Sequence, residues 1–167
     1  MKAIAAVASH WGIGAHNDLL FHIPEDLRFF RRNTAGGTVI LGRKNLESFP
    51  GARPLPNRRH LLLTRQEAFC PEGVEVFHSL PELLDVVREL PPDSVWVIGG
   101  GEIYRALLPY CDEALITHVD AAPEADVFFP DLTRTPGWEL AEVSDVMQSG
   151  DLSYTFCRYR NHSPRPL

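Results

Sequence analysis

Three stretches of this sequence carry residue types that could hold a ligand or steer a proton. The most pointed is Pro24-Glu25-Asp26-Leu27. An acid in the first turn of a helix is common for dipole reasons alone, because the free N–H groups there favour negative charge. Asp26 and Phe30 are four apart, however, and Leu27 and Phe30 three apart, so the carboxylate shares a face with apolar and aromatic groups. Beside Leu27, Phe30 and Ile4 it would be desolvated and its pKa raised. Such a carboxylate suits a planar, nitrogen-rich heterocycle that offers two adjacent N–H donors. The second stretch is Ile98-Gly99-Gly100-Gly101-Glu102-Ile103-Tyr104, at a strand-to-helix turn. Three glycines let the backbone approach a ligand, and the helix start offers N–H groups to a pyrophosphate. The run is not GxGxxG, so the usual dinucleotide fingerprint is unmet and a plain tight turn remains open. The third is Gly42-Arg43-Lys44, a turn with two cations, together with Thr64-Arg65 after the next strand. Strand ends of this kind side by side would make a phosphate pocket; the alternative is a solvated basic patch.

Other chemistries find less support. The seven histidines show no metal-ligand spacing: His16 and His22 are six apart in a loop, and His118 sits in a strand. No metal is expected. Ser9 and Ser48 lie in no nucleophile-elbow pattern. Cys70, Cys111 and Cys157 form no CxxC pair, which suggests free thiols in a reducing compartment, with Cys111 and Cys157 as small core residues. The net charge of −6 argues against nucleic acid as the main partner. Its distribution says more. Residues 28–65 hold nine of the sixteen basic residues and one acid, Glu47, so that segment carries +8 and the remainder −14. Such asymmetry points to an anionic ligand on one region or to a solvated basic face.

These residues need a scaffold, and 167 residues of ordinary composition fit one domain with a real core. No apolar run approaches the ~20 residues of a membrane helix, so no membrane partner is expected. The N-terminal apolar run is short and breaks at Ser9-His10, reading as a strand over 2–8 rather than a signal peptide. Residues 9–23 read as a long irregular loop, a length typical of functional lids. Pro24 opens a helix through Asn33, stopped by Gly36-Gly37. Strands follow over 38–43, 59–64, 74–78, 94–99 and 113–120, with helices over 44–49, 80–90 and after Gly100. SVWVIG is apolar on both faces and belongs at the centre of a sheet. Two more strands follow from Trp138, the last alternating as an antiparallel strand does. The expectation is an α/β domain over 1–160: a mostly parallel twisted sheet of about eight strands, an antiparallel C-terminal edge, helices on both faces, and a loose tail over 161–167.

Taken in order and spacing, the motifs resemble the bacterial dihydrofolate reductases over residues 1–160. The matching pieces are Ile4-Ala5-Ala6, Gly12-Ile13-Gly14 with Asn17, Pro24-Glu25-Asp26-Leu27 with Phe30, and Arg32-Asn33-Thr34. They continue with Val39-Ile40-Leu41-Gly42-Arg43, Glu47-Ser48, Arg53-Pro54-Leu55-Pro56 with Arg58, and Val97-Ile98-Gly99-Gly100-Gly101 with Tyr104. Leu115-Ile116-Thr117-His118-Val119-Asp120 and Asp126 with Phe129-Pro130 complete the set.

The resemblance implies reduction of dihydrofolate by NADPH in a cytoplasmic monomer. Asp26 would hold the pterin's 2-amino group and N3, with Thr117 bridging and Phe21 alongside as the catalytic set. Ile4, Ala5, Leu27, Phe30, Phe49, Leu55, Ile98 and Tyr104 would line the substrate, and Arg58 would take its glutamate α-carboxylate. Ala6, Ile13, Gly14, Asn17 and Leu19 would meet the nicotinamide half of the cofactor. Gly99, Gly100, Gly101, Glu102 and Ile103 would meet the pyrophosphate, with the Gly99–Gly100 peptide cis. Arg43, Lys44, Thr64 and Arg65 would surround the adenosine 2′-phosphate, and Gly42, Asn45 and Leu63 would also contact the cofactor. The chain departs from the family pattern at Phe21, where Trp is usual, and at Leu20, where many members have Pro. Asn45-Leu46 replaces Thr and an aromatic residue, and Pro50-Gly51-Ala52 is longer than the commonest form. Two rivals remain: another pterin or pyrimidine reductase of the same fold, and a non-catalytic nucleotide-binding module. Asp26 with Phe30 and Arg58 favours folate over the first. An intact Asp26, Thr117 and glycine turn argue against the second.

Overall fold

A computed structural model describes residues 1–167. In chain order the elements are β1 (Lys2–Val7), β2 (Gly12–Ala15), β3 (Asp18–Leu19), α1 (Pro24–Thr34), β4 (Thr38–Gly42), α2 (Arg43–Ser48), β5 (Arg59–Leu63) and β6 (Glu75–Phe77). Then come α3 (Leu80–Arg88), β7 (Val95–Gly99), α4 (Gly101–Leu107), β8 (Glu113–Val119), β9 (Val127–Phe128), β10 (Trp138–Val143), β11 (Met147–Ser149) and β12 (Leu152–Asn161). No helix is long and apolar enough to cross a membrane.

The main sheet runs β10-β12-β8-β1-β7-β4-β5-β6, with β11 paired to β12. Strands β8, β1, β7, β4, β5 and β6 are mutually parallel, and the C-terminal strands add antiparallel pairs at one edge. The expected α/β architecture is therefore present, with nine strands. β7 is buried along its whole length, as its two-sided apolar pattern requires. Leu83, Val87, Ile103, Tyr104 and Leu107 of α3 and α4 fill one face of the sheet. On the other face Ile4, Val39, Leu41, Trp96 and Ile98 pack with Leu46 of α2 and Phe29 and Phe30 of α1. Cys111 and Cys157 are buried and unpaired, as expected of small core residues.

α1 begins at Pro24, whose missing N–H costs nothing in a first turn. It stops where Gly36 takes φ +76° and where a Cβ on Gly37 would lie 2.6 Å from the Ser94 carbonyl. No side chain larger than hydrogen fits that approach of chain to chain.

Three features differ from the sequence reading. Residues 9–23 are not irregular: β2 and β3 form a small antiparallel sheet with β9, in the order β3-β2-β9. Arg43 opens α2 rather than closing β4. Three strands, not two, follow Trp138. The terminal residues also make contacts. Asn161 is buried and donates to Cys111 O, the Arg165 N–H donates to Pro109 O, and Arg88 donates to Leu167 O.

Candidate active site

The parallel strands leave their carboxyl ends along one side of the sheet, and the loops that follow carry most of the residues singled out above. Asp26 sits in the first turn of α1, half-buried. The Thr117 hydroxyl, from β8 and 91 positions away, donates to Asp26 Oδ1 at 2.6 Å. Burial raises the Asp26 carboxyl above its ordinary range, and the Thr117 hydrogen bond pulls it part of the way back. The expected desolvation is thus present, and its cause is the sheet beneath the helix as well as the helix's own face. Ile4, Ile98, Phe30 and Phe49 belong to one apolar cluster. Leu27 stays 39% exposed, an apolar side chain turned to solvent beside the half-buried acid. Ala5 and Ala6 pair with Ile116 and Thr117, so Ala6 lies next to the Thr117 strand position.

Tyr104 is buried, and its hydroxyl donates to Ile4 O at 2.7 Å. Burial pushes its phenol upward, so it stays protonated and keeps this bond. Its ring also fills the space beside Gly99, where φ is +106° and a Cβ would lie 2.9 Å from the ring. The Gly99–Gly100 peptide is cis, as the resemblance implies. Gly101 packs under Val127 and Phe128, while a Cβ on Gly100 would meet nothing within 4 Å. The turn is therefore open at Gly100. Beside it, Ile103 is buried and Glu102 exposed.

At the carboxyl ends of β4 and β5 lie Gly42, Arg43, Lys44, Asn45, Leu63, Thr64 and Arg65. Arg43 pairs with Glu47, at 2.5 Å. Lys44 and Arg65 are exposed and have no carboxylate partner. Asn45 points elsewhere: its amide donates to the carbonyls of Ile98 and Gly99. The Thr64 N–H donates to Phe77 O, and its hydroxyl accepts from the Gln66 N–H.

Arg58 lies at the other end of β5. Its Nε donates to the Thr34 hydroxyl at 2.8 Å and its Nη1 to Pro56 O, with the guanidinium 5.9 Å from the centre of the Phe30 ring. Burial and the nearby Arg31 charge press its pKa down. A cation held beside another cation is poised for an anion.

Phe21 packs against Ile23, Val119 and Tyr154 rather than in the apolar cluster of Ile4 and Ile98. Val119 is two positions beyond Thr117 on β8 and so shares its face. Ile13 is buried, Asn17 takes φ +61°, and Leu19 is 56% exposed. The loop that holds them is tied at two points to the segment before β9. The His16 N–H donates to Asp126 Oδ2, and the Asp126 N–H donates to Gly14 O.

Two further groups position the site, and the sequence assigned neither of them a role. His60 is buried, accepts the Leu55 N–H on Nε2, and donates from Nδ1 to Arg58 O. Burial lowers its pKa, which keeps that neutral tautomer and fixes the backbone of both Leu55 and Arg58. Thr34 is fully buried and donates to Phe30 O while accepting from Arg58. Neither position carries a local sequence signal for its role: Thr34 follows Arg31-Arg32-Asn33 and His60 follows Asn57-Arg58-Arg59.

A family model described as dihydrofolate reductase matches residues 1–161. The chain belongs to the dihydrofolate reductase family. It is 38% identical over 156 residues to the dihydrofolate reductase of Neisseria gonorrhoeae, covering 93% of this chain and 94% of that protein. The enzyme of Mycobacterium tuberculosis is 37% identical over 166 residues, covering 96% of this chain and 94% of its own. Among solved structures, dihydrofolate reductase from Enterococcus faecalis complexed with NADP(H) and RAB-propyl superposes with a TM-score of 0.85. It is 32% identical and covers 95% of this chain and 94% of its own. Family membership thus agrees with a cleft assembled from the strand ends and α1.

Proposed function

We propose that this chain reduces 7,8-dihydrofolate to tetrahydrofolate with NADPH, acting as a cytoplasmic monomer. The observation that carries the reading is the Asp26–Thr117 pair at 2.6 Å, facing an apolar wall and set on the same side of the sheet as the open Gly100 turn. A desolvated carboxylate that already accepts one hydrogen bond from Thr117 keeps acceptor sites for two more N–H donors, here the 2-amino and N3 edge of a pterin.

Ile4, Ala5, Leu27, Phe30, Phe49, Leu55 and Ile98 wall the pterin and the ring that follows it. Arg58, held by Thr34 and Pro56 and with its remaining N–H groups free, takes the α-carboxylate of the glutamate. Tyr104 fixes Ile4 from behind. Ala6, Ile13, Gly14, Asn17 and Leu19 border the nicotinamide half of the cofactor. The turn from Gly99 to Ile103 meets the pyrophosphate. Arg43, Lys44, Thr64 and Arg65, with Gly42 and Leu63 beneath them, take the 2′-phosphate. The fit rests on the unpaired Lys44 and Arg65 and on the open face of Gly100.

When bound, NADPH supplies the hydride that goes to C6 of the pterin. Asp26 binds and orients the ring and, as an anion, polarises it toward protonation at N5; water brings that proton, because the carboxylate lies at the opposite edge. The sheet face and α1 hold the two rings together, which removes most of the entropic cost of encounter. The β2–β3 loop covers the cofactor side and excludes water. Phe21 borders this cleft beside Val119.

The three unpaired cysteines support a reducing compartment. The test is the dihydrofolate-dependent loss of NADPH absorbance, run beside a ribosylamino-pyrimidine as the rival substrate. Turnover of dihydrofolate alone supports the reading. Turnover of the pyrimidine alone, or tight NADPH binding without any turnover, overturns it.

A further inference from the structure

Asn45 stands at the third position of α2, next to Arg43 and Lys44, yet its side chain reaches across to β7. Its Nδ2 lies 2.9 Å from Ile98 O and 3.3 Å from Gly99 O. Two carbonyl oxygens leave no choice of amide orientation: the nitrogen must face them. The place it reaches is a break in the sheet. Pairing of β4 with β7 runs Ile40 with Val97 and then Leu41 with Gly99, so Ile98 is passed over. On the other side, the pairing of β1 with β7 ends at Val97. No residue of either neighbouring strand stands opposite Ile98. At this gap in the pairing a side-chain amide from α2 supplies a donor to Ile98 O.

The consequence is mechanical. The residues after Ile98 form the Gly99–Gly101 turn, and Gly100 is its open face. Tyr104 holds that turn from below through its ring, and Asn45 holds it from the side. α2 in turn carries the cations at the end of β4. One amide therefore joins the cationic strand end to the glycine turn.

We propose that Asn45 is a positioning residue for the dinucleotide. It acts through the Gly99–Gly101 turn, and not by touching the 2′-phosphate. The proposal rests on the dinucleotide reading of the site. Because the turn serves the part common to NADPH and NADH, loss of Asn45 weakens both by the same factor. Loss of a 2′-phosphate cation weakens NADPH alone.

The test is Asn45→Asp, which keeps size but, when ionised, turns an acceptor toward two carbonyl oxygens. Binding of NADPH and of NADH is measured by titration at several pH values. Each is expressed as a ratio to the parent at the same pH, so that titration of the 2′-phosphate cancels. At alkaline pH both cofactors should bind on the order of tenfold more weakly, as for a lost and repelled hydrogen bond. The loss should shrink as the pH falls and the new carboxyl gains a proton to donate. Asn45→Thr, with one hydroxyl donor, should lie between, with KM raised and kcat unchanged.

A ligand-free measurement runs beside it: the amide signals of Gly99, Gly100 and Gly101 in Asn45→Asp should shift and titrate with the new carboxyl. Affinity within twofold of the parent for both variants, a loss confined to NADPH, or glycine amides that do not move would each overturn the proposal. If the parent binds neither dinucleotide, the functional reading falls, while the glycine amide signals still decide the role of Asn45.

Discussion

At the scale of single residues, Asp26 sets a conflict between folding and function. Its folded-state pKa is raised by burial, so the ligand-free native state binds more protons than the unfolded chain between the ordinary carboxylate range and that raised value. The native state therefore loses stability as pH rises through that window, as the desolvated carboxyl ionises. Asp26→Asn removes the charge and keeps the shape. The ligand-free variant should melt above the parent at pH 7, and the gain should disappear by about pH 4, near the unfolded carboxylate value. Melting curves at both pH values check this; a variant less stable at pH 7 would mean the carboxylate is fully compensated. Arg43 illustrates the opposite case, a charge kept partly in solvent and paired with Glu47. Arg43→Ala should weaken NADPH binding by about 1.5–3 kcal/mol, the usual worth of a hydrogen bond to a charged group. NADH binding should barely change, and paired titrations with the two cofactors measure the difference.

At the scale of elements, the β2–β3 loop is the part whose geometry depends on a few polar contacts. Asp126 holds it twice, through its carboxylate to the His16 N–H and through its own N–H to Gly14 O. Asp126→Ala removes the first and should loosen the loop by about 0.5–1.5 kcal/mol, the net value of one such bond. Faster hydrogen exchange at residues 14–19 and a severalfold loss of turnover are expected, with little change in melting temperature. This small sheet is also where the sequence was least legible. β3 and β9 are two residues each, too short to show any periodicity, and Gly12 pairs with Phe128 across 116 positions. The long elements were readable because burial imposes a period on them: β7 is apolar throughout, and α1 starts at a proline and stops at two glycines. Within the site, Asp26 stood out because its helix neighbours are close in sequence. Its partner Thr117 came only through the family resemblance, since nothing local links positions 91 apart. His60 and the inward amide of Asn45 left no signal, because the carbonyls they serve are set by sheet register and connector path.

At the scale of the whole molecule, the proposed function has one basic segment serve two anionic ends. Arg58 precedes β5 and Thr64-Arg65 follow it, so the strand itself separates them by roughly 20 Å, at about 3.3 Å per residue. In the proposed function that spacing would let a substrate carboxylate and a cofactor phosphate bind at once, with both reacting rings between them. The rest of the chain is acidic, with −14 against the segment's +8, an asymmetry that would favour anions near the segment. Raising ionic strength should therefore weaken NADPH more than NADH, and binding titrations across salt would show it. The central claim is that this cleft reduces dihydrofolate with Asp26 as the group that polarises the pterin. It is tested most directly by turnover of dihydrofolate with NADPH against pH, for the parent and Asp26→Asn, with circular dichroism as the folding control. The folded variant should be about 10²–10⁴ slower at pH 7, the usual worth of acid–base assistance, and should recover part of the loss in acid, where solvent protonates the substrate. A folded Asp26→Asn enzyme within about threefold of the parent at pH 7, far short of that assistance, would contradict the account.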